Sequence, residues 1–475
     1  MFSLEKRAAF VLLSALSLAG YVSIPLFFPL PGQFDSLPLR DVRSFAPSVW
    51  AGIAYALFFL AQYAIYATAW RHITTRSAKI WSIVMPALVF CLPLLFTYPI
   101  NATDLFRYFV RGRVTAFYGE SALVVPPSAY PHDPYLPFAG EWATATSPYG
   151  PLWELLAGGI TAASGQNLLL SLLLFKSIAI LAHSAVGVLI WQAGARLRPS
   201  QRAAATLLWT WNPALLFMFA VDGHNDALMI FWLVFGYVLM PRRPLLGFLV
   251  AFLGALTKPV ALLALPFLFF GRWRRLQSWR ARWRYLLAAS AGALLLTVVT
   301  FAPFGSPLRL ATRLLTEASE AVGYSPGVLL LLLAQRLAAP FDVGRFLELG
   351  AALGLAVFVL LALLLLWRVW RGLRVASGIA AVFAAYLATA FTFRIWYSTW
   401  PFPWLLVDDE QNLRAISAGF WFLLCAHLSL LIYGYLRIYV LAGDQLAAHL
   451  VGVPFTFILP LVLARWLPLS PIDRA

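Results

Sequence analysis

Charged residues are scarce in this chain of 475 residues, of which 11% are charged and 62% are apolar. Ordinary soluble proteins have about 25% charged and about 45–50% apolar residues, so a water-soluble globular protein is excluded. Cysteine is scarcer still. Cys91 and Cys425 lie in separate apolar runs, which excludes a disulfide framework and a cysteine-based metal site and predicts two buried thiols.

Long apolar runs, by contrast, are abundant. A membrane-spanning helix needs about 20 apolar residues, so the chain has room for about 12–14 spans and little else. We expect an all-α polytopic membrane protein that forms one integral-membrane domain over residues 1–475. The predicted apolar helices lie near residues 8–30, 48–70, 80–99, 168–194, 203–220, 227–240, 285–304, 345–366, 376–392, 396–407, 413–436 and 449–466. A further run, 245–270, is interrupted by Thr257-Lys258-Pro259, which predicts two half-length helices that meet in a hairpin.

Basic residues outnumber acidic ones by 35 to 19, which gives a formal net charge of +16. Placing both termini in the cytoplasm puts most of the basic residues on the inner side of the membrane, as the positive-inside rule requires. This orientation predicts a multi-pass protein of the cell membrane. Within residues 271–284 arginine is interleaved with tryptophan. That pattern predicts a helix in the anionic headgroup layer and no nucleic-acid partner.

The segment from about 100 to 167 is the longest predicted extracytoplasmic loop, and loops of this length are usually functional. Asp104, Arg107, Tyr108 and Arg111 follow one another at helical spacing, so a helix presents all four on one face. The alternative is an interfacial helix in which Thr103 or Asp104 acts as the cap and the arginines contact lipid headgroups.

Two proline-rich motifs follow in the same loop. The first is His132-Asp-Pro-Tyr135-Leu-Pro137, and the second is Ser147-Pro-Tyr149-Gly-Pro151-Leu-Trp153. Prolines on both sides of Tyr149-Gly150 predict a rigid turn that holds an aromatic ring near the bilayer. Residues 151–164 are apolar but too short to cross comfortably, so we expect a second interfacial helix there.

These motifs, followed by Gly-His-Asn-Asp at 223–226 and Thr-Lys-Pro at 257–259, resemble those of the polyprenol-phosphomannose-dependent mannosyltransferases of the GT-C class. The resemblance covers about residues 80–407 and departs from the family pattern at 133–135, where Asp-Pro-Tyr replaces Asn-Pro-Tyr. It implies a GT-C-like helical bundle with two added N-terminal helices in 1–79, a catalytic core in 80–407 whose main loop is 100–167, and C-terminal helices in 408–475.

The function that the resemblance implies is transfer of a sugar, mannose by this reading, from a polyprenyl phosphate to a glycan or glycolipid acceptor of the cell envelope. The reaction would take place at the extracytoplasmic face. It needs a base for the acceptor hydroxyl and cations for the departing phosphate. Asp104 is the predicted base, both by its place after a span and because the family carries an aspartate in its first loop. One carboxylate is sufficient for an inverting displacement.

The predicted cations for the donor phosphate are Lys258, Arg107, Arg111 and Arg394. Lys258 lies at the hairpin tip, where the alternative is a side chain that extends to the membrane surface. Arg394 belongs to an aromatic segment, 393–401, that resembles a late motif of the class; an interfacial aromatic belt is the alternative. The aromatic residues predicted to bind substrate are Tyr108, Tyr149 and Tyr397.

Asp222, His224, Asn225 and Asp226 lie together at the outer end of two short predicted helices. Polar groups beside a membrane core are costly unless they are used, so we predict that they bind a sugar or acceptor hydroxyl. The alternative is a tight turn in which asparagine and aspartate cap the next helix. Histidine and aspartate are also metal ligands, but the spacing places no third ligand, so no metal cofactor is predicted.

A transporter or flippase of a lipid-linked sugar is the second functional hypothesis. Transporters usually show broken helices at corresponding positions of two repeated halves. This sequence shows one such break, at 257–259, and its polar residues gather toward one membrane face. Both features favour the enzyme.

Overall fold

The computed structural model describes residues 4–74, 78–319, 323–337, 342–408 and 410–469, and its regular secondary structure in these ranges is helical. They contain no β-strand, only two isolated bridges, Pro29 with Thr97 and Gly323 with Phe393. The predicted all-α class is therefore confirmed. The predicted cytoplasmic placement of the two chain ends involves residues 1–3 and 470–475, which lie outside the described residues.

Twelve helices precede the arginine-rich region. They are α1 (Leu4–Phe27), α2 (Val42–Phe45), α3 (Val49–Thr74), α4 (Trp81–Leu95), α5 (Asp104–Ala116), α6 (Pro151–Ser164), α7 (Leu168–Ala193), α8 (Pro199–Thr210), α9 (Pro213–Leu216), α10 (Asp226–Leu239), α11 (Pro244–Thr257) and α12 (Leu265–Trp273).

Ten more follow in the described part of the chain. They are α13 (Trp279–Phe301), α14 (Pro307–Ser319), α15 (Pro326–Leu337), α16 (Val343–Arg371), α17 (Val375–Thr389), α18 (Phe402–Leu406), α19 (Leu413–Leu431), α20 (Arg437–Tyr439), α21 (Gln445–Val453) and α22 (Leu459–Trp466).

Seven helical segments among the described residues are long and apolar enough to cross a membrane. Helix α8 and the run from α9 through the π-turn Phe217–Val221 are bent by 43° at their junction, the geometry of one further broken span or of a re-entrant loop. Six shorter apolar helices of 10–17 residues accompany them, and the predicted 12–14 spans are reached only if these cross as well. The shorter helices would need a tilt or a locally thinned bilayer to do so.

Burial separates the helices that build the centre from those that face lipid. In α7, 56% of the most apolar stretch is buried inside the protein, whereas in α16 only 6% is buried. Helix α16 therefore lies at the periphery, with most of its apolar stretch not buried by the rest of the described protein. Helix α7 packs against α4, α8 and α10 and forms part of the support on which the outer loop rests. Both Cys91 and Cys425 are buried free thiols, as predicted.

Proline explains the two main helix breaks near the centre. At Pro213 the missing backbone N–H ends the run predicted as one span over 203–220, and the Asn212 side chain accepts from the backbone of Ala214 and Leu215 to start the next turn. The predicted break at Lys258 is confirmed. Lys258 is extended, with φ −146° and ψ 117°, and Pro259 begins a 3-10 turn before α12.

Three expectations about individual segments are wrong. The arginine-tryptophan cluster of 271–284 does not form its own helix, because α12 ends within it and the long helix α13 begins at Trp279. The run at 396–407 is no span but a 3-10 turn, Ile395–Thr399, followed by the five-residue α18. Helices α14 and α15 lie in a stretch that none of the predicted runs covers.

The loop over 100–167 is folded into the protein to a degree that its sequence does not indicate. It carries α5 and α6 as predicted, but ten of the thirteen residues of α5 are buried. Helix α5 packs between α6, α7 and the 3-10 turn Leu136–Trp142. The face that carries Asp104 therefore lies inside the protein, against a cavity, and not on the membrane surface.

Candidate active site

A cavity of about 570 Å³ collects residues from many separate parts of the described chain, from Arg40 to Leu430. Seven of the twelve predicted site residues line it: Asp104, Arg107, Arg111, Tyr149, Lys258, Arg394 and Tyr397. Its apolar lining includes Val260, Leu262, Leu263, Leu314 and Leu430. Cationic and apolar surfaces thus meet in one space beside a carboxylate.

Asp104 is the first residue of α5 and is only 4% exposed. Its Oδ1 accepts from Arg107 Nη1 at 3.1 Å and from the Tyr149 hydroxyl at 3.2 Å. Its Oδ2 is buried and has no hydrogen-bond partner among the described residues. Burial by itself would raise the pKa of Asp104, but nearby positive charge, first that of Arg107, lowers the pKa to about 2. The free site therefore holds an ionised carboxylate with one oxygen available.

The capping alternative for this helix is not what the structure shows. Thr103 occupies the cap position but makes no side-chain capping bond, and its hydroxyl accepts from Arg107 Nη2 at 3.0 Å instead. The Arg107 guanidinium also lies over the Trp142 ring, 5.0 Å from its centre. Arg107 is thus held by protein groups at the cavity wall beside Asp104.

Arg111 is 3% exposed and contacts the loop that carries Tyr149. Its Nη2 donates to the backbone carbonyls of Ala145 and Thr146 at 3.5 and 3.3 Å, and its guanidinium lies 6.0 Å from the Tyr149 ring centre. Burial lowers the pKa of Arg111 from its ordinary value. These contacts make Arg111 mainly a support for the loop, although it also lines the cavity.

The turn at Tyr149-Gly150 docks directly on the end of α11. The Gly150 N–H donates to the carbonyl of Thr257 at 3.0 Å. A Cβ at position 150 would lie 2.1 Å from the carbonyl oxygen of Leu256, so only glycine fits there. This contact sets the Tyr149 ring between Asp104 and Lys258, whose ammonium lies 5.7 Å from the ring centre.

Lys258 is held by an acid and by aromatic rings. Its Nζ donates to both Asp226 oxygens, at 2.9 and 2.8 Å, and lies 5.4 Å from the Tyr397 ring centre and 5.7 Å from that of Trp400. With a side chain 11% exposed, Lys258 points inward and does not extend to the membrane surface. Trp400 Nε1 also donates to Asp226, at 2.5 Å. Asp226, fully buried, therefore positions Lys258, and both of its oxygens already accept hydrogen bonds from the protein.

The other residues of the 222–226 segment lie behind the cavity wall. His224 stacks on Trp396, a cavity residue, at 4.1 Å, and its Nε2 is buried without a partner among the described residues. Asn225 occupies the cap position before α10 but makes no side-chain capping bond, and its amide atoms are likewise buried and without partners among the described residues. The predicted alternative of an Asn cap is therefore not found.

Asp222 and Tyr108 are the remaining predicted residues that do not line the cavity. Asp222 is fully buried and accepts from the backbone and side chain of Asn101. Tyr108 is 1% exposed and packs edge-on against Tyr149 and Trp153. The structure places both as supports of cavity residues and gives neither a surface for substrate.

Arg394 lines the cavity from the segment before the 3-10 turn Ile395–Thr399. In the described part of the chain its guanidinium has no hydrogen-bond or ion-pair partner. Its half-buried side chain contributes to the positive charge around Asp104. Arg107 and Lys258, by contrast, each form an ion pair with an aspartate.

Several cavity residues were not predicted from the sequence. Arg40 and Asp41 come from the segment between α1 and α3, ahead of the region that carries the motifs, and Asn101, Trp142 and Tyr324 are isolated residues without a motif of their own. The signal that could have found Arg40 and Asp41 is their charge, on the outer side between two spans.

The departure at 133–135 has a structural explanation. Asp133 accepts from Arg113 Nε, 3.1 and 2.9 Å from its two oxygens, and from the Tyr118 hydroxyl at 2.8 Å. The side chains of Asp133 and Arg113 are each 5% exposed. Their ion pair fixes the loop and stays outside the cavity.

The described ranges contain no cluster of side chains that supports metal binding. No group of three or more His, Cys, Asp or Glu side chains there is arranged to hold a metal ion. The absence of a metal cofactor stays a prediction.

In this helical membrane protein a buried carboxylate, several cations and apolar side chains share one cavity. These are the features of a membrane glycosyltransferase. Comparison with known families establishes this class. Residues 35–273 match the family described as "Alpha-(1->6)-mannopyranosyltransferase, N-terminal domain", and the chain belongs to this family. The matched region includes Asp104, Tyr149 and Lys258.

Individual relatives agree. The chain is 24% identical over 393 residues to alpha-(1->6)-mannopyranosyltransferase A of Mycobacterium tuberculosis, an alignment that covers 78% of this chain and 72% of the relative. It is 26% identical over 182 residues to alpha-(1->6)-mannopyranosyltransferase A of Corynebacterium glutamicum, covering 37% and 36% of the two chains. The predicted resemblance to mannosyltransferases is thus confirmed, and the transporter hypothesis is not favoured.

Proposed function

We propose that this mannosyltransferase takes its sugar from a polyprenyl phosphate and transfers it to a hydroxyl of a glycan or glycolipid acceptor at the extracytoplasmic face. The observation that carries the proposal is the free oxygen of Asp104 in the same cavity as Lys258 and Arg394. The names of the relatives suggest that the new bond is an alpha-(1->6) linkage, so the acceptor group would be a 6-hydroxyl of mannose.

The composition of the cavity wall supports a lipid-linked donor. A sugar nucleotide would need a polar site for its base and two phosphates, whereas this cavity combines cations with an apolar wall inside a membrane protein. The ammonium of Lys258 and the guanidinium of Arg394 suit a phosphate. The apolar wall formed by Val260, Leu262, Leu263, Leu314 and Leu430 suits the first isoprene units.

In the proposed step, Asp104 Oδ2 takes the proton of the acceptor hydroxyl while that oxygen attacks C1 of the sugar. The bond from C1 to the phosphate oxygen breaks, and the phosphate leaves with the electron pair. Lys258, Arg394 and Arg107 stabilise the negative charge that develops on it. A single displacement inverts the anomeric centre, so an alpha-linked product requires a beta-linked donor phosphate.

The low pKa of Asp104 describes the site without substrate. A phosphate bound beside Arg107, Lys258 and Arg394 neutralises the charges that keep the pKa at about 2. Burial then raises the pKa of Asp104 toward the range in which a carboxylate is an effective base. Donor binding would thus activate the base immediately before transfer.

The test uses purified protein, radiolabelled polyprenyl-phosphate mannose and an alkyl alpha-mannoside as the acceptor. We expect Asp104→Asn to lower kcat by about 10²–10⁴-fold, the usual contribution of a general base, with donor binding retained. The matched control is Asp35→Asn, since Asp35 is exposed and does not line the cavity.

Undiminished transfer by Asp104→Asn would remove Asp104 as the base. Failure of the wild-type protein to form any glycosidic bond from this donor would remove the polyprenyl-phosphate proposal. Movement of labelled lipid across a vesicle membrane without a new bond would revive the transporter hypothesis.

A further inference from the structure

Two buried ionisable side chains have no role in the proposed chemistry, and both hold the chain segment that leads into Asp104. The first is Lys176, on α7, which is fully buried. Its ammonium donates to the carbonyl oxygens of Leu94 at 2.9 Å and Thr97 at 2.5 Å. These carbonyls lie at the end of α4, so Lys176 fixes the point where the chain leaves that helix.

Asp222 holds the other end of the same short segment. Its Oδ1 accepts from the Asn101 backbone N–H at 3.1 Å, and its Oδ2 accepts from Asn101 Nδ2 at 2.8 Å. In the structure the Asn101 side chain turns its NH₂ group toward Asp222. The carbonyl oxygen of the Asn101 amide is therefore directed elsewhere.

That carbonyl oxygen, Asn101 Oδ1, is buried and has no hydrogen-bond partner in the described ranges. Asn101 lines the cavity and precedes Asp104 by three residues. Asp104 Oδ2 is likewise buried and has no hydrogen-bond partner among the described residues. Buried oxygens without a partner are rare in folded proteins because they lose hydration without compensation. Two such oxygens, on residues that are three positions apart and line one cavity, are the basis for inferring a ligand that supplies hydroxyl groups.

We propose that Asn101 Oδ1 accepts a hydrogen bond from a hydroxyl of the bound sugar substrate. Asp222 and Lys176 act as positioning residues that fix residues 97–101 and so direct this oxygen. The proposal rests on the function proposed above and adds a residue to the substrate site. The hydroxyl belongs either to the transferred mannose or to the acceptor, and the experiment distinguishes the two.

The experiment compares wild type and Asn101→Ala on polyprenyl-phosphate mannose donors that lack one hydroxyl at a time. We expect wild type to use one of these deoxy donors with kcat/KM about tenfold lower, the effect of leaving a buried acceptor unpaired. Asn101→Ala should lose about tenfold on the complete donor and show no further penalty for that one deoxy donor. If the hydroxyl belongs to the acceptor, the same pattern appears with deoxy alkyl mannosides instead.

Two further variants separate substrate contact from structural support. Asp222→Asn preserves the side-chain volume but replaces one accepting oxygen with a donor, so we expect the same selective loss of discrimination. Asn167→Ala is the control, because Asn167 caps α7 through one hydrogen bond and lies outside the cavity. Its deoxy penalties should match those of wild type.

Identical deoxy penalties in wild type and Asn101→Ala, for donors and acceptors alike, would overturn the proposal. If Asn101→Ala does not fold, the same comparison on Asp222→Asn decides the question, and unchanged penalties there would count against it. A wild-type protein that forms no product from the complete donor overturns the proposed function and this proposal together. Product formation with unchanged penalties overturns this proposal alone.

Discussion

Asp104 shows how a buried acid in a membrane protein stays charged. Burial raises the pKa of its carboxyl group, and the guanidinium of Arg107, together with other cations around the cavity, lowers it further than burial raises it. The result is a carboxylate that is ionised above about pH 2 in the free protein. Any change that removes one of these cations must therefore raise the pKa.

Replacing Arg107 by glutamine tests this balance. We expect the acid limb of kcat/KM to move to higher pH, because burial is then opposed by less positive charge and Asp104 becomes protonated earlier as the pH falls. The measurement is a pH profile of transfer from about pH 4 to pH 9. The wild-type limb, set by a pKa of about 2, lies below this range, whereas the limb of Arg107→Gln should enter it. The donor KM should also rise, since Arg107 is a proposed phosphate ligand.

Arg345→Gln is the control for this profile. Arg345 is exposed and does not line the cavity, so removing its charge should leave the acid limb in place. A profile of Arg107→Gln that coincides with that of wild type down to about pH 4 would contradict the proposed effect of Arg107 on Asp104.

At the scale of elements, the Tyr149 turn is a connector between α6 and α11. Ser147 Oγ donates to Glu154 Oε1 at 2.5 Å, which closes the turn onto the first residues of α6. Gly150 then lies against the carbonyl groups at the end of α11. The Pro-Tyr-Gly-Pro motif thus sets the distance between the base and the proposed phosphate cation.

Gly150→Ala should push this turn away from α11. The added Cβ would lie 2.1 Å from the Leu256 oxygen, which a backbone carbonyl cannot yield without moving the helix end. We expect a loss of about 1–3 kcal/mol of stability and a fall in kcat. Thermal unfolding in detergent and the transfer assay measure the two effects.

Gly159→Ala offers a matched control on the neighbouring helix. A Cβ at Gly159 meets nothing within 4 Å, and alanine is the better helix former by about 0.5–1 kcal/mol. This variant should unfold at the same temperature as wild type or higher and retain transfer. Equal stability and activity in Gly150→Ala and Gly159→Ala would show that the turn does not need its close contact.

At the scale of the whole molecule, the cavity joins parts that the sequence keeps far apart. Arg40 and Asp41 come from the predicted added segment 1–79, and Arg394 comes from near the end of the predicted core. The family match begins at residue 35 and so includes the first of these segments. The division of the chain into 1–79, 80–407 and 408–475 stays a prediction.

Orientation in the membrane is testable on the intact protein. In a background with Cys91 and Cys425 replaced by alanine, single cysteines at His132 and Gln277 occupy exposed positions near opposite predicted faces. An impermeant thiol reagent added to whole cells should label His132→Cys and spare Gln277→Cys. Lysed cells, in which both should react, are the control. Labelling of position 277 from outside would reverse the predicted topology.

The sequence alone determined the helical membrane class, the break at Lys258 and seven of the cavity residues. Apolar run length and proline placement act locally, so they can be read from the chain directly. What it could not determine is which polar groups are free and which are already paired. Asp226 is a predicted substrate ligand, and only the structure shows that both of its oxygens accept from Lys258 and that one also accepts from Trp400.

Only the tertiary structure decided these pairings, because they join residues that are distant in the chain. Asn101 meets Asp222, and Lys176 meets Thr97, through packing of α4, α7 and the segment before α10. The same packing buries α5, which as an isolated amphipathic helix would lie at the membrane surface. Burial gives Asp104 and Asn101 their unpaired oxygens, and these oxygens are the basis of the proposed chemistry.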